Sequence, residues 1–284
     1  MQDEPELKLG LIGDNIASSR APFLHRLAGE QTGLRVRYDR LVPKDMNVDF
    51  DTLFDTCAGH GFRGVNVTYP YKERAAGKVM IEDPLVQAIG AVNTVLFEPE
   101  GPKGHNTDYT GFIAAYRGER ADANPGIACL IGTGGVGRAL AFGLVALNAL
   151  EIRLFDTDAN KAHALAEDLR ALRHAPTVTV YTDASSAAQG ATGLLNGTPV
   201  GMVGHGGTPL PAAAIHGQEW AFDAVYTPVN TRFLGDSASA GLSVISGYEL
   251  FFHQGVHAWA HFAGTALDET RLRESLAADA SGQP

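Results

Sequence analysis

Residues 127–131 read I-A-C-L-I, a short apolar run that enters a turn carrying Gly132, Gly134 and Gly137. A helix-like run from Arg138 to Asn148 follows. A second apolar run, Ile152 to Phe155, then ends on Asp156. Glycines at this spacing have separate jobs. Gly132 permits a tight turn out of a strand, Gly134 lets the backbone approach a pyrophosphate, and Gly137 lets a helix pack close to the strand. The helix N-terminus offers unpaired N–H groups and a partial positive charge, which attract phosphate. Strand, glycine turn, helix, strand and acid in this order form a dinucleotide-binding fingerprint.

The acid chooses between dinucleotides. A carboxylate at the end of the second strand can accept the ribose hydroxyls of NAD and repels the 2′-phosphate of NADP, which an arginine normally meets. Thr157, Asp158, Ala159 and Asn160 supply no arginine, and Lys161 is the nearest cation. The expected cofactor is NAD, preferred over NADP by at least roughly tenfold, or ~1.4 kcal/mol. Asp158 reads as the N-cap of the next helix.

The elements around this turn alternate. In the first hundred residues, strands are expected at Lys8 to Ile12, Arg35 to Leu41, Gly64 to Thr68 and Ala91 to Phe97. Helices are expected at Pro22 to Thr32, Phe50 to Ala58 and Asp83 to Ile89, and a turn at Glu98 to Gly104. Beyond the fingerprint, strands are expected at Val178 to Tyr181, Gly193 to Asn196 and Trp220 to Val225. A broadly apolar helix is expected from about Tyr248 to Gly264. Alternating strands and helices imply an α/β fold with mainly parallel sheets. The expected organisation is two domains. Residues 1–106 with 247–284 form an αβ substrate domain, and residues 107–246 a Rossmann domain, with the C-terminal helix returning to the first. Residues 277–284 read as frayed.

Composition narrows the function. The chain has 284 residues, 45% apolar and 19% charged, with a net charge of −10. That is an ordinary folded protein long enough for two modest domains. The acidic balance argues against a nucleic-acid surface. The longest uncharged apolar run, Ala139 to Leu150, is too short to span a bilayer, and the acidic N-terminus lacks a secretory pattern. A cytoplasmic protein acting on a small molecule, as monomer or homodimer, is the expectation. Cys57 and Cys129 give no disulfide framework, and Cys129 reads as a buried thiol.

Four further segments set small polar residues beside strand ends: S-S-R-A-P-F-L-H at 18–25, G-V-N-V-T-Y-P-Y-K at 64–72, G-A-V-N-T at 90–94 and G-H-N-T-D at 104–108. With D-A-V-Y-T-P at 223–228 and S-G-Y-E-L-F-F-H-Q at 246–254, the chain resembles the shikimate dehydrogenase family, in its quinate/shikimate dehydrogenase branch, from Leu9 to about Leu276. The resemblance implies oxidation of the shikimate ring hydroxyl to the 3-dehydro ketone, with hydride passing to a nicotinamide. It implies Lys72 and Asp108 as the catalytic pair. It implies Asn66, Thr68 and Asn93 as holders of ring hydroxyls, Ser19 as a carboxylate ligand, and Tyr226 and Gln254 as groups closing the substrate site. Toward the nucleotide it implies Gly132, Thr133, Gly134, Gly135, Val136, Gly137, Asp156, Thr157, Asn196, Thr198, Val225 and Gly247. Chemistry agrees: a neutral lysine can take the hydroxyl proton as hydride leaves, and a neighbouring carboxylate favours its charged form.

The chain departs from the family at one place. The carboxylate site commonly has S-x-S or S-x-T, and here it reads Ser19, Arg20, Ala21. One hydroxyl donor is lost, worth about 1 kcal/mol. Quinate or an aminoshikimate-like cyclic acid is therefore an alternative substrate, and an NAD-binding sensor an alternative function. Arg20 reads as an exposed loop arginine. His253, His257 and His261 have metal-compatible spacing but read as a partly exposed polar stripe with no metal. His105 reads as a turn residue, and His205 lies in a glycine-rich loop, 201–207.

Overall fold

In the first sheet, the strand that ends at Ile12 is followed by Gly13, and the strand that ends at Glu98 by Pro99. The computed structural model describes residues 6–280. It begins with β1 (Glu6–Ile12), α1 (Ala21–Thr32), β2 (Arg35–Leu41), α2 (Pro43–Met46), α3 (Phe50–Gly59), β3 (Gly64–Val67), α4 (Lys72–Ala76), α5 (Pro84–Ile89), β4 (Thr94–Glu98) and β5 (Gly101–His105). The sheet order is β2-β1-β3-β4-β5. β1 pairs in parallel with β2 and β3, while β3, β4 and β5 run antiparallel. Helix starts follow the sequence signals. Pro22 opens α1, and Gly33 closes it at φ 75°. The Asp49 carboxylate accepts the N–H groups of Asp51 and Thr52 at the start of α3, and Asp83 does the same for Leu85 at α5.

Residues 98–104 correct the expectation of a plain turn. Gly101, at φ 124°, makes the corner, and Gly101 to His105 pair with β4 in the register Thr94↔His105 and Leu96↔Lys103. The segment G-P-K-G-H contains no β-branched or large apolar residue. Its strand state is imposed by the partner rather than by its own propensity.

The second sheet follows α6 (Thr107–Arg120). It is built from β6 (Ile127–Ile131), α7 (Gly135–Ala146), β7 (Glu151–Phe155), α8 (Ala159–Arg170), β8 (Thr177–Val180), α9 (Ala184–Ala188), β9 (Gly193–Asn196), β10 (Trp220–Asp223), α10 (Arg232–Ser239) and β11 (Ser243–Ile245). Its order is β11-β10-β9-β6-β7-β8, with every pairing parallel. Outward from β6, this is the doubly wound order in which ligands sit beyond the strand ends where the winding reverses, between β6 and β9. α7 starts at Gly135 rather than at the expected Arg138, so Gly135 and Gly137 lie in its first turn. The sequence reading places neither α10 nor β11. β11 has three residues, too few for a period, and α10 is held by Thr231, whose hydroxyl accepts the Leu234 N–H.

The chain closes with α11 (Gly247–Ala263) and α12 (Glu269–Ala280). It divides into two compact units, residues 1–107 with 255–284, and residues 108–254. The divide falls inside α11, after Gln254, rather than before it at Gly247. α12 runs through the segment from Ala277 that reads as frayed, and residues 281–284 lie outside those described. In the first unit, Ala258, Trp259 and Phe262 of α11 are buried with Leu9, Ala28 and Leu96. Each large apolar side chain buried there contributes on the order of 1.5–3 kcal/mol.

Two histidine contacts in this unit go beyond the sequence reading. His25 of α1 is 1% exposed and stacks on Tyr38 at 5.0 Å, with Trp259 and Phe262 on its other sides. Burial pushes its pKa down to about 3. His105 is the last residue of β5, not a turn residue, and lies flat against His261 with ring centroids 3.7 Å apart. Burial, aided by His105 and His257, pushes His261 down to about 4. The histidine stripe is partly exposed, as expected, and at His261 it also packs on His105.

A neutral buried histidine makes stability depend on pH. The unfolded chain takes a proton near pH 6.5 that folded His25 refuses until about pH 3. Stability therefore falls as pH drops through that window, by about 1.4 kcal/mol per pH unit for such a group. Urea unfolding at pH 6 and pH 5 should show that slope or a steeper one, since His261 titrates across part of the same window. His25→Phe should flatten it, and an unchanged slope would remove His25 as its source.

Candidate active site

The dinucleotide turn is built as its glycines require. Gly132 leaves β6 at φ 92°, and a Cβ there would meet Thr198 Cγ2 at 2.4 Å. A Cβ on Gly137 would lie 2.0 Å from the Gly132 carbonyl oxygen, so only glycine lets α7 approach the strand. Gly134, the N-cap of α7, is exposed, and a Cβ there would meet nothing within 4 Å. That side is open, with the start of α7 alongside. Gly135 and Val136, partly buried, form the first turn of that helix.

Asp156 is fixed by three hydrogen bonds. Its Oδ2 accepts the Thr133 N–H at 2.7 Å and the Thr133 hydroxyl at 2.9 Å, and its Oδ1 accepts the Asp158 N–H at 2.9 Å. Burial alone would raise this carboxyl, but the bonds from Asp158 and Thr133 outweigh it and hold the group below the usual carboxylate range. It is therefore an anion at neutral pH. Asp158 caps α8 by accepting the Asn160 N–H, and Thr157 is exposed beside it.

Asn196, at the end of β9, takes a different part from the one expected. It is wholly buried, and both ends of its amide are used inside the protein. Nδ2 donates to the Val200 carbonyl and to Asp223 Oδ1, while Oδ1 accepts the Thr198 N–H and hydroxyl. It shapes the loop after β9 rather than presenting its side chain to a nucleotide, and Thr198 is bound into the same knot. Asp223, raised by burial, also accepts the Val225 N–H and the Thr231 hydroxyl. This places buried Val225 against Gly247, where a Cβ would lie 2.5 Å from the Val225 oxygen. Tyr226 stacks on Phe251 of α11 at 5.1 Å. Gln254 lies on the same helix, its backbone packed on Gly111 of α6.

In the first unit, polar groups gather at Asn93. Its Oδ1 accepts the Thr107 N–H at 2.7 Å, the Thr107 hydroxyl at 3.1 Å and the Thr94 hydroxyl at 3.2 Å. This ties the start of β4 to the residue before Asp108, which is 5% exposed in the first turn of α6. The Asn93 carbonyl accepts the Val67 N–H and the Asn66 amide. Asn66 departs from its expected place. It is buried in β3, donating to Thr94 and accepting the Tyr38 hydroxyl at 2.8 Å, with His25 also hydrogen-bonded to it. Its role is to join strands, because a four-residue strand buried throughout turns this side chain inward.

Lys72 is the first residue of α4 and half-buried, and its carbonyl accepts the Val92 N–H. Thr68 sits four residues earlier, just past β3, its N–H bonded to Ile12. The turn between them contains a cis Tyr69–Pro70 bond. Sequence reading missed the residues that hold this turn. The Tyr71 hydroxyl donates to Asp14 Oδ1 at 3.1 Å, and Lys44 pairs with Asp14 Oδ2. The Lys44 bond holds the Asp14 carboxyl below its usual range. Tyr71 also stacks on Phe50 at 4.9 Å. The one available signal was that Tyr71 adjoins Lys72.

At the proposed carboxylate end, Ser19 Oγ accepts the Ala21 N–H at 3.3 Å, and the Ser19 carbonyl accepts the Arg40 guanidinium at 2.8 Å. Arg20 is not an exposed loop arginine. It is half-buried and donates to the Leu276 carbonyl of α12 at 3.1 Å. Among the described residues, no group of three or more His, Cys, Asp or Glu could hold a metal ion.

Comparison with known proteins places the chain in a family. Residues 11–95 match the family model described as the shikimate dehydrogenase substrate binding domain. A protein of Corynebacterium efficiens named quinate/shikimate dehydrogenase (NAD(+)) is 34% identical, covering 94% of this chain and 96% of its own. A Natronomonas pharaonis protein named shikimate dehydrogenase (NADP(+)) is 36% identical, covering 94% of this chain and 97% of its own. Among solved structures, quinate dehydrogenase of Corynebacterium glutamicum in complex with NAD superposes with a TM-score of 0.90 at 30% identity, covering 96% of this chain and all of that one. Glycine turn, Asp156, Lys72 and Asp108 thus stand in a chain that these proteins match over 94–96% of its length, and the chain belongs to the shikimate dehydrogenase family.

Proposed function

We propose that this chain is a nicotinamide-dinucleotide dehydrogenase interconverting the ring alcohol of shikimate, or of quinate, with its 3-dehydro ketone, and that it prefers NAD. The observation that carries the reaction is the pair Lys72 and Asp108, retained in a chain similar along its length to quinate/shikimate dehydrogenases. The observation that supports NAD is Asp156, an anion fixed beside the glycine turn, with no arginine among the four residues that follow it. Relatives that use NADP are similar to a like degree, so overall similarity does not choose the cofactor.

The residues present fit such a cofactor. Gly134 leaves its side open, the start of α7 would supply N–H donors to the pyrophosphate, and Asp156 would accept a ribose hydroxyl. A bound nicotinamide would supply the hydride acceptor. Lys72, as the neutral amine, takes the hydroxyl proton in the same step, and its ammonium form returns a proton when the ketone is reduced. Asp108 stabilises that ammonium by its charge. Ser19, Thr68, Asn93, Tyr226 and Gln254 are the proposed substrate ligands. Asn66 supports them from inside the sheet.

Initial rates with NAD and NADP, each against shikimate and quinate, test this reading. NAD should be favoured at least roughly tenfold in kcat/KM. Equal values would exclude Asp156 as the discriminator, and no turnover of any ring alcohol would exclude the dehydrogenase. Lys72→Ala should lower kcat by roughly 10²–10⁴-fold while the melting temperature stays within about 2 °C. A loss under tenfold would refute its role as base. Two glycines should separate fold from binding. Gly137→Ala should lower the melting temperature by about 5 °C or more. Gly134→Ala should leave it unchanged and weaken dinucleotide binding, read by calorimetric titration.

A further inference from the structure

We propose that Thr133 is a positioning residue: its hydroxyl holds the Asp156 carboxylate in the orientation that accepts the adenosine ribose, and thereby sets the choice between NAD and NADP. The proposal rests on Asp156 being the ribose acceptor. Thr133 is the variable residue of the glycine turn, and no general requirement of the fingerprint asks for a hydroxyl there. It is 3% exposed, so its hydroxyl faces the protein rather than solvent.

The geometry is that of a lock. Gly132 N–H donates to the Phe155 carbonyl at 2.8 Å, which fastens the turn to the end of β7. One residue on, Thr133 donates twice to the same Asp156 oxygen, from its N–H at 2.7 Å and its hydroxyl at 2.9 Å. The other oxygen accepts the Asp158 N–H. An ionised carboxylate has about four lone-pair sites. Three are taken within the protein, which leaves capacity for one more donor, and the 2′-hydroxyl of NAD supplies one. The 2′-phosphate of NADP supplies no donor and adds negative charge. To admit it, Asp156 must swing away from the turn and break these bonds. The backbone bonds are common to any residue at position 133. The hydroxyl bond is the part that this sequence adds.

Thr133→Val removes the hydroxyl while keeping the shape and the N–H. Thr133→Ala is the second variant should Val pack poorly, and Thr133→Ser restores the donor. Dissociation constants for NAD and NADP, measured by calorimetry without substrate, should show the preference for NAD falling by about threefold to tenfold in Val and Ala, and returning in Ser. In the apo protein, a carbon-13 NMR titration should show the Asp156 carboxyl titrating at higher pH in Val and Ala than in wild type or Ser. A wild-type cofactor ratio with an unmoved Asp156 titration would overturn the proposal alone. Wild-type protein that binds both dinucleotides equally would overturn the ribose assignment, and the proposal with it.

Discussion

Buried side-chain amides at strand ends hold the chemical half of each unit in shape. A loop that leaves a parallel strand must turn without a ladder to satisfy its backbone, and an unpaired buried N–H or C=O costs as much as a lost hydrogen bond. Asn93 and Asn196 solve this in the two units by the same means. Asn93 Oδ1 receives the Thr107 N–H and hydroxyl, and so fixes the first turn of α6, where Asp108 follows. Asn196 spends both amide atoms on Thr198, Val200 and Asp223, and so fixes the loop facing the glycine turn. Remove either amide and several partners are left unpaired at once, each worth roughly 1–3 kcal/mol when buried.

Close approach is the complementary constraint. The turn after β6 and the turn after β9 meet at Gly132, Gly137 and Gly197, where added Cβ atoms would fall 2.0–2.9 Å from backbone. Two strand ends brought this near make a narrow shelf of N–H groups at the point where the sheet reverses its winding. The amides hold the shelf's outer edge and the glycines allow its inner one.

Much of this was legible in residue order. The fingerprint at 127–156 carried its own strand, helix and acid, and Asp158 caps α8 as its residue type indicated. What escaped was what depends on partners distant in sequence. Gly101 to His105 is a strand only because β4 pairs with it. Asn66 sits in a four-residue strand buried at every position, so alternation could not say which way its amide faces. The Thr133 hydroxyl is spent on a carboxylate 23 positions away, and Tyr71 on one 57 positions away. The periodicities of strand and helix report faces. They do not report such pairings.

The carboxylate end shows how a family site can lose a donor and keep its form. With Ala21 in place of a hydroxyl residue, the segment still has its ends fastened. Arg40 grips the Ser19 carbonyl, Arg20 reaches the Leu276 carbonyl, and Ser19 Oγ accepts the Ala21 N–H that opens α1. These bonds hold the segment without a hydroxyl at position 21. On the proposed reading of Ser19, the deficit, about 1 kcal/mol for a neutral hydrogen bond and more toward a charged acceptor, falls on holding the acid and not on placing the reacting carbon. Weakening that acts equally on ground and transition states raises KM and spares kcat. A site so altered discriminates less by the carboxylate and more by whatever else stands on the same ring carbon, which is where quinate carries a hydroxyl and shikimate does not.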